Sequence, residues 1–245
     1  MTKKTKTKQI CYLCGKSIEN AELSYDHVPP VAFYPKDIRA GLNLQVAPSH
    51  KKCNEDYRKD EEYFQHAFII EVLNQRPPIT SHLERDFLRR AEKPQTPAMI
   101  RRILKGVSNI TPGGIHLPSG ILQVEIDRLR IERIVLKIAR GLFYIENKNF
   151  VPLQNAKDIR FCLNENEVPE RYKLCWLATK LSGAYPKVFS YKYFNTCKYS
   201  ASGKYPELDK LHLYTLRFWE AVMFCVAFEY PPLNTTLPMP SNPSL

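Results

Sequence analysis

Apolar side chains return at helical intervals through the first third of the chain: Tyr57, Phe64 and Phe68 fall at i, i+7 and i+11, with Val72 one turn further on. This stripe predicts a long helix from about His50 to Gln75. Arg76-Pro77-Pro78 ends it, because a proline pushes the residue before it out of the α conformation. Residues 80 to 106 read as two more helices, with Pro94 and Pro97 in the joint between them. TPGGIHLPSG, at 111–120, reads as a loop. Residues 122–144 carry the clearest helical pattern of the second half. Ile131, Ile134, Val135 and Ile138 form its apolar face, while Arg133, Lys137 and Arg140 stack on another. Such a basic stripe reads first as a solvated surface, with phosphate contact as the alternative.

The pattern then changes to period two. VFSYKYF (188–194) alternates and is rich in β formers, and LHLYTLRFWEAVMFCVAFEY (211–230) is too long for one strand. It predicts two strands that turn near Trp219-Glu220, and hence a small antiparallel sheet. Upstream of the long helix, residues 10–49 are short and irregular. The expected fold class is therefore α+β: a compact N-terminal module at 10–76 and a helical plus antiparallel-sheet accessory domain at 80–230. Residues 1–9, with Lys3, Lys4, Lys6 and Lys8, are expected as a disordered basic tail. Residues 231–245, with five prolines, are expected as a flexible one.

Composition narrows the class without naming a reaction. No apolar run approaches the roughly 20 residues that cross a bilayer, and the basic start has no apolar stretch behind it. A soluble, cytoplasmic protein with no membrane partner is expected. Lys and Arg outnumber Asp and Glu by 36 to 25, a net charge of +11. That surplus suits a polyanion such as nucleic acid, although a generically soluble basic protein fits it equally well. Seven cysteines, an odd number in a chain of 245 residues, argue against a disulfide framework. Cys162, Cys175 and Cys225 stand among apolar neighbours and read as small buried hydrophobes. Cys197 lies in a polar stretch and is less clear.

The three remaining cysteines carry chemistry. Cys11-x₂-Cys14-Gly15 places two thiolates three positions apart on a tight turn that Gly15 permits. His50-x₂-Cys53 repeats the spacing with two more soft ligands. Cys11, Cys14, His50 and Cys53 together form a closed tetrahedral set suited to structural Zn²⁺, with no position left for substrate. The plainer alternative is a surface histidine at 50 and an unrelated buried thiol at 53. Between the halves lies Asp26-His27-Val28-Pro29-Pro30, and Asn54 follows Cys53 directly. Phosphodiester hydrolysis needs a base for water and a hard cation for the developing charge. His27 has the intrinsic pKa for the first, and Asp26 and Asn54 offer oxygen ligands for Mg²⁺ or Mn²⁺.

Cys11-x₂-Cys14, Asp26-His27, Asn43-Leu44 and His50-x₂-Cys53-Asn54 resemble the HNH, or ββα-metal, endonucleases, and within them the zinc-bearing branch similar to phage endonuclease VII-type enzymes. The resemblance covers residues 10 to about 62. It implies a zinc-stabilised ββα-metal module, His27 as general base, Asp26 and Asn54 on the catalytic metal, and Asn43 holding the loop and orienting the base. It implies DNA as the substrate. His50 stands where family members usually carry a third zinc cysteine, and Pro48-Ser49 lengthens the spacing after Asn43. KDEEYF (59–64) resembles the segment that follows the motif in other HNH proteins and has no role assigned. Asp60 reads as a solvated helix-face charge, with metal contact the less favoured alternative. The other functional readings are a zinc-stabilised nucleic-acid-binding module without catalysis, and an RNA-directed nuclease on the same scaffold. Substrate choice, or a protein partner, is expected to reside in the C-terminal domain.

Overall fold

The computed structural model describes residues 9–92, 96–119, 123–162, 164–178, 180–196 and 210–229. Both terminal tails and Cys197 therefore lie outside the described residues, apart from Gln9. The N-terminal part is built from strand β1 (Leu23–His27), the short helix α1 (Lys36–Arg39), strand β2 (Val46–His50) and helices α2 (Lys51–Glu55) and α3 (Arg58–Gln75). β1 and β2 pair antiparallel, with Asp26 opposite Ala47 and His27 opposite Val46. The single helix expected from His50 to Gln75 is thus two. Asp56 and Tyr57 break it, their amides turning back to Lys52 and Asn54. The expected apolar stripe is buried on α3, and Arg76, in the left-handed conformation, caps its end.

Helices α4 (Thr80–Ala91) and α5 (Thr96–Lys105) follow, but Pro97, expected in the joint, lies in the first turn of α5, where its missing N–H is not needed. A two-stranded ribbon of β3 (Val107–Ser108) and β4 (Gln123–Val124) then flanks the loop, so the next helix starts later than its pattern suggests. It is α6 (Arg128–Asn147), begun by the Asp127 carboxylate, which accepts a hydrogen bond from the amide of Arg130.

The C-terminal part comprises β5 (Ala156–Cys162), α7 (Glu170–Ala178), β6 (Ser182–Tyr185), β7 (Phe189–Asn195), β8 (Leu211–Phe218) and β9 (Val222–Glu229). The strands form one antiparallel sheet in the order β5-β9-β8-β7-β6. The turn expected near Trp219-Glu220 is present, and both residues are left-handed, at φ 52° and 57°. Burial of the Trp219 indole against Phe33, Phe64 and Phe218 offsets that strained backbone, and its ring N–H donates to the Phe33 carbonyl. β5, β6 and α7 were not visible in the pattern. β5, at the sheet edge, breaks its alternation with the consecutive charges Lys157 and Asp158, and α7 is short.

The sheet is covered on both faces. Tyr214, Leu216 and Phe218 of β8, with Phe224, Val226 and Phe228 of β9, face the main core. Leu213, Met223, Cys225 and Ala227 face α7, where Cys162 and Cys175 are also buried. The main core runs without interruption from Cys11 to Phe228, so the N-terminal module and the sheet share their apolar interior. α6 lies between them and is buried from Ile134 to Phe143 except at Leu136. Gly141 lets it approach closely: a Cβ there would lie 2.6 Å from Cγ2 of Val28. Replacing Gly141 with Ala should lower stability by ~1–3 kcal/mol through overpacking. Denaturant unfolding would measure it, and Gly141→Ala/Val28→Ala should lose less than the sum of the single variants, since the clash is then relieved.

Candidate functional site

Four potential ligands from two distant strips of chain converge. Cys11 and Cys14 sit on a tight turn in which the amide of Gly15, at φ +75°, donates to the carbonyl of Cys11. His50 is the last residue of β2, and Cys53 lies one turn into α2. The ligand atoms of Cys11, Cys14, His50 and Cys53 all lie within 4.8 Å of one another. His50 Nδ1 is 3.3 Å from the sulfur of Cys14 and 3.8 Å from that of Cys53. Ligands bound at about 2.0–2.3 Å around a tetrahedral ion stand roughly 3.3–3.8 Å apart, so these two spacings are compatible with a shared ion. On the far side of the ring, Nε2 lies 3.2 Å from the Ser17 carbonyl and 3.8 Å from a carboxylate oxygen of Glu22. Donation from Nε2–H leaves Nδ1 as the free lone pair facing the sulfurs.

The thiols are prepared unequally. Burial raises Cys11, but the amides of His50, Cys14 and Leu13 outweigh it and hold the thiol below its ordinary value. Cys53 is pushed up to about 12, first by burial and then by the charge of Cys11 and Cys14 beside it. Three crowded thiols can ionise together only with a cation among them, so metal uptake here would release protons. The donor set fits a soft divalent ion held for structure.

The second group of sequence-derived residues divides over two faces of β1. Asp26 points inward and is buried; its carboxylate accepts a hydrogen bond from Tyr12 Oη at 2.5 Å. Burial, followed by the Asp26 charge, raises Tyr12 well above its ordinary value and keeps the phenol a donor. Asp26 Oδ2 also lies 2.8 Å from Lys137 Nζ, and the same ammonium donates to Asn54 Oδ1 at 2.9 Å and to Glu61. Asp26 and Asn54 are therefore brought together, but His27, expected to meet them around one hard ion, is not part of this group. The cation between them is the side chain of Lys137, 1% exposed. A divalent ion does not fit between these two residues while that ammonium is in place.

His27, next along β1, turns the other way. It lines an open pocket of about 620 Å³ with Asn43, Lys36 and Arg39. Asn43 lines the same pocket as the imidazole. The α1 helix that carries Lys36 and Arg39 is tied to α4 through Asp37, which His82 Nδ1 approaches at 2.7 Å and Arg85 at 3.0 Å. The hydrogen bond with His82 is the main influence holding the Asp37 carboxyl below its ordinary value.

The basic stripe on α6 is not the uniformly solvated surface that was expected: Arg133 is exposed, but its two fellows are not. Lys137 and Arg140 are buried; Arg140 donates to the carbonyls of Val151 and Leu13. Arg133 binds Asp60 and lies over the Tyr57 ring, while Arg130 binds Asp60 and the Lys59 carbonyl and lies over Tyr63. Asp60, expected as a solvated charge, is buried against these guanidinium groups. KDEEYF is the acidic socket for α6. Glu61, Lys137 and Tyr12 were missed as site residues. Their only advance signal was the coincidence of an acidic segment and a basic stripe, and neither pattern states that the two meet.

No family model, curated protein or solved structure matches the chain.

If the four-residue cluster holds a metal for structure, Cys53→Ser should lose it and unfold at markedly lower denaturant. Metal binding in small modules of this kind contributes on the order of 10 kcal/mol to folding. Metal analysis of the purified chain, paired with an unfolding curve, measures both effects; unchanged metal content and stability would remove the cluster from consideration.

Proposed function

We propose that the chain is a zinc-stabilised endonuclease of the HNH type that hydrolyses phosphodiester bonds, with DNA as the first substrate to test. The observation that carries this reading is the arrangement around β1: Asp26 and Asn54 share one cationic point, while His27 opens onto a pocket bordered by Lys36 and Arg39. The order β1, β2, α2 around a Cys/His cluster is also the element order that the resemblance implies. Zn²⁺ is the ion best suited to three sulfurs and one imidazole nitrogen.

In this reading His27 accepts the proton of a water at the pocket, and Asn43 supports the imidazole. Lys36 and Arg39 hold the phosphate by charge and by their N–H donors. Neutralising phosphates in this way makes binding fall linearly with salt on a log–log scale. A hard divalent ion at Asp26 and Asn54 requires Lys137 to give up that position and the buried face of β1 to open toward the pocket, since His27 and this pair lie on opposite sides of the strand; only then would it supply charge stabilisation at the phosphate.

That requirement favours a second reading, in which the module binds nucleic acid without cutting it. Zinc-loaded protein incubated with plasmid, branched DNA and RNA, with and without Mg²⁺ or Mn²⁺, separates the two. The nuclease reading expects cation-dependent cleavage that falls by at least ~10²-fold in His27→Ala while affinity is retained, the size of effect expected of a general base. Salt-sensitive binding with no cleavage under any cation supports the second reading. Cleavage of RNA alone would move the proposal to an RNA-directed nuclease.

A further inference from the structure

The ammonium of Lys137 is held as a metal ion would be held. It has three N–H donors and meets three acceptors: Asp26 Oδ2 at 2.8 Å, Asn54 Oδ1 at 2.9 Å and a carboxylate oxygen of Glu61. The first two are the residues that the proposed nuclease reading assigns to the catalytic cation, and the inference rests on that reading in taking them as its ligands. All three acceptors are hard oxygens, unlike the sulfur-rich cluster on the far side of β2, and their summed charge is −2 if both carboxylates ionise. That set matches Mg²⁺ or Mn²⁺ better than a single positive charge. Burial pushes the Glu61 carboxyl above its ordinary value against the pull of Lys137, as expected where one ammonium serves two carboxylates. An ion about 2.1 Å from all three oxygens would stand where the ammonium stands, so the two cations exclude each other.

Lys137 is not a loose surface side chain that happens to reach in. Arg130 and Arg133 fasten α6 to Asp60 on one side, and Arg140 fastens it to Leu13 beside the metal-binding turn on the other. Gly141 seats the helix backbone against Val28. At its C-terminal end, Glu146 accepts a hydrogen bond from Tyr191 of the sheet at 2.6 Å.

We propose that Lys137 is a built-in competitor for the divalent metal at Asp26, Asn54 and Glu61, so that metal enters this position only as the ammonium leaves it. The second half of the chain thereby governs the first: metal affinity depends on how α6 is seated, and α6 is bonded to the sheet.

The test reads metal and leaves nucleic acid out, so a chain that cleaves nothing can still bear the proposal out. Mn²⁺ binding is measured by titration on the zinc-loaded full chain, on Lys137→Met and Lys137→Gln, and on each with Asp26→Asn added. Zinc content and an unfolding curve verify that each variant is folded. Both Lys137 variants should bind one Mn²⁺ at least tenfold more tightly than the wild type, and Asp26→Asn should remove the gain. Equal affinity in wild type and variants, or folded variants with no Asp26-dependent ion, overturns the proposal. Amine labelling of the wild type, read by mass spectrometry, serves as the second measurement should both variants misfold. Lys137 should be protected without Mn²⁺ and become labelled once Mn²⁺ is bound through Asp26; Mn²⁺ bound there with Lys137 still protected contradicts it.

Discussion

One buried ammonium with three oxygen partners sets the relation between the two ends of this chain. Lys137 lies in the middle of a largely apolar helix, and an unpaired charge there would be costly. Its oxygen partners among the described residues come from β1, α2 and α3 of the N-terminal part, and the Tyr57 ring lies beneath it at 5.2 Å. Those carboxylates would in turn be stranded without the helix. Each side therefore specifies the other, and Arg130, Arg133 and Arg140 repeat the relation with Asp60 and the Leu13 carbonyl. The contacts fix register as much as they stabilise, because a shift of α6 by one residue would break several of them together.

The Cys/His cluster imposes a second, local constraint. Residues 10–30 bury Cys11, Tyr12, Leu13, Ile18 and Val28 in the main core, and an ion shared by the cluster would add a cross-link to that packing. By fixing Cys53 the cluster also fixes Asn54, the next residue in α2, and so aims its amide oxygen at the point where Asp26 arrives from β1. Strand alternation then separates the two chemical faces. Asp26 goes to the buried, cation-filled side and His27 to the open pocket. An imidazole accessible to solvent beside a charge pair sealed from it is the arrangement from which both functional readings start.

Much of this was legible in the chain itself. The paired x₂ spacings of Cys11, Cys14, His50 and Cys53 identified the cluster, because ligand spacing on a turn and on a helix start is a local property. The apolar stripe of α3 and the two-strand reading of 211–230, with its turn at Trp219-Glu220, were equally local, since periodicity is decided by which face of one element is buried. That Asp26 and Asn54 would meet followed from their attachment to elements that the cluster joins.

What the sequence alone could not decide was which charges are paired. A basic stripe and an acidic segment each look like solvated faces when read alone, because charge is normally left in water. Only the packing of α6 against α3 and β1 showed that Lys137, Arg140 and Asp60 are buried, with Lys137 and Asp60 paired to opposite charges and Arg140 donating to backbone carbonyls. Local pattern thus determined the longer helices, strands β7 to β9, the cluster and the candidate base. The identity of the cation between Asp26 and Asn54 is a long-range property, and tertiary structure alone assigns it to Lys137.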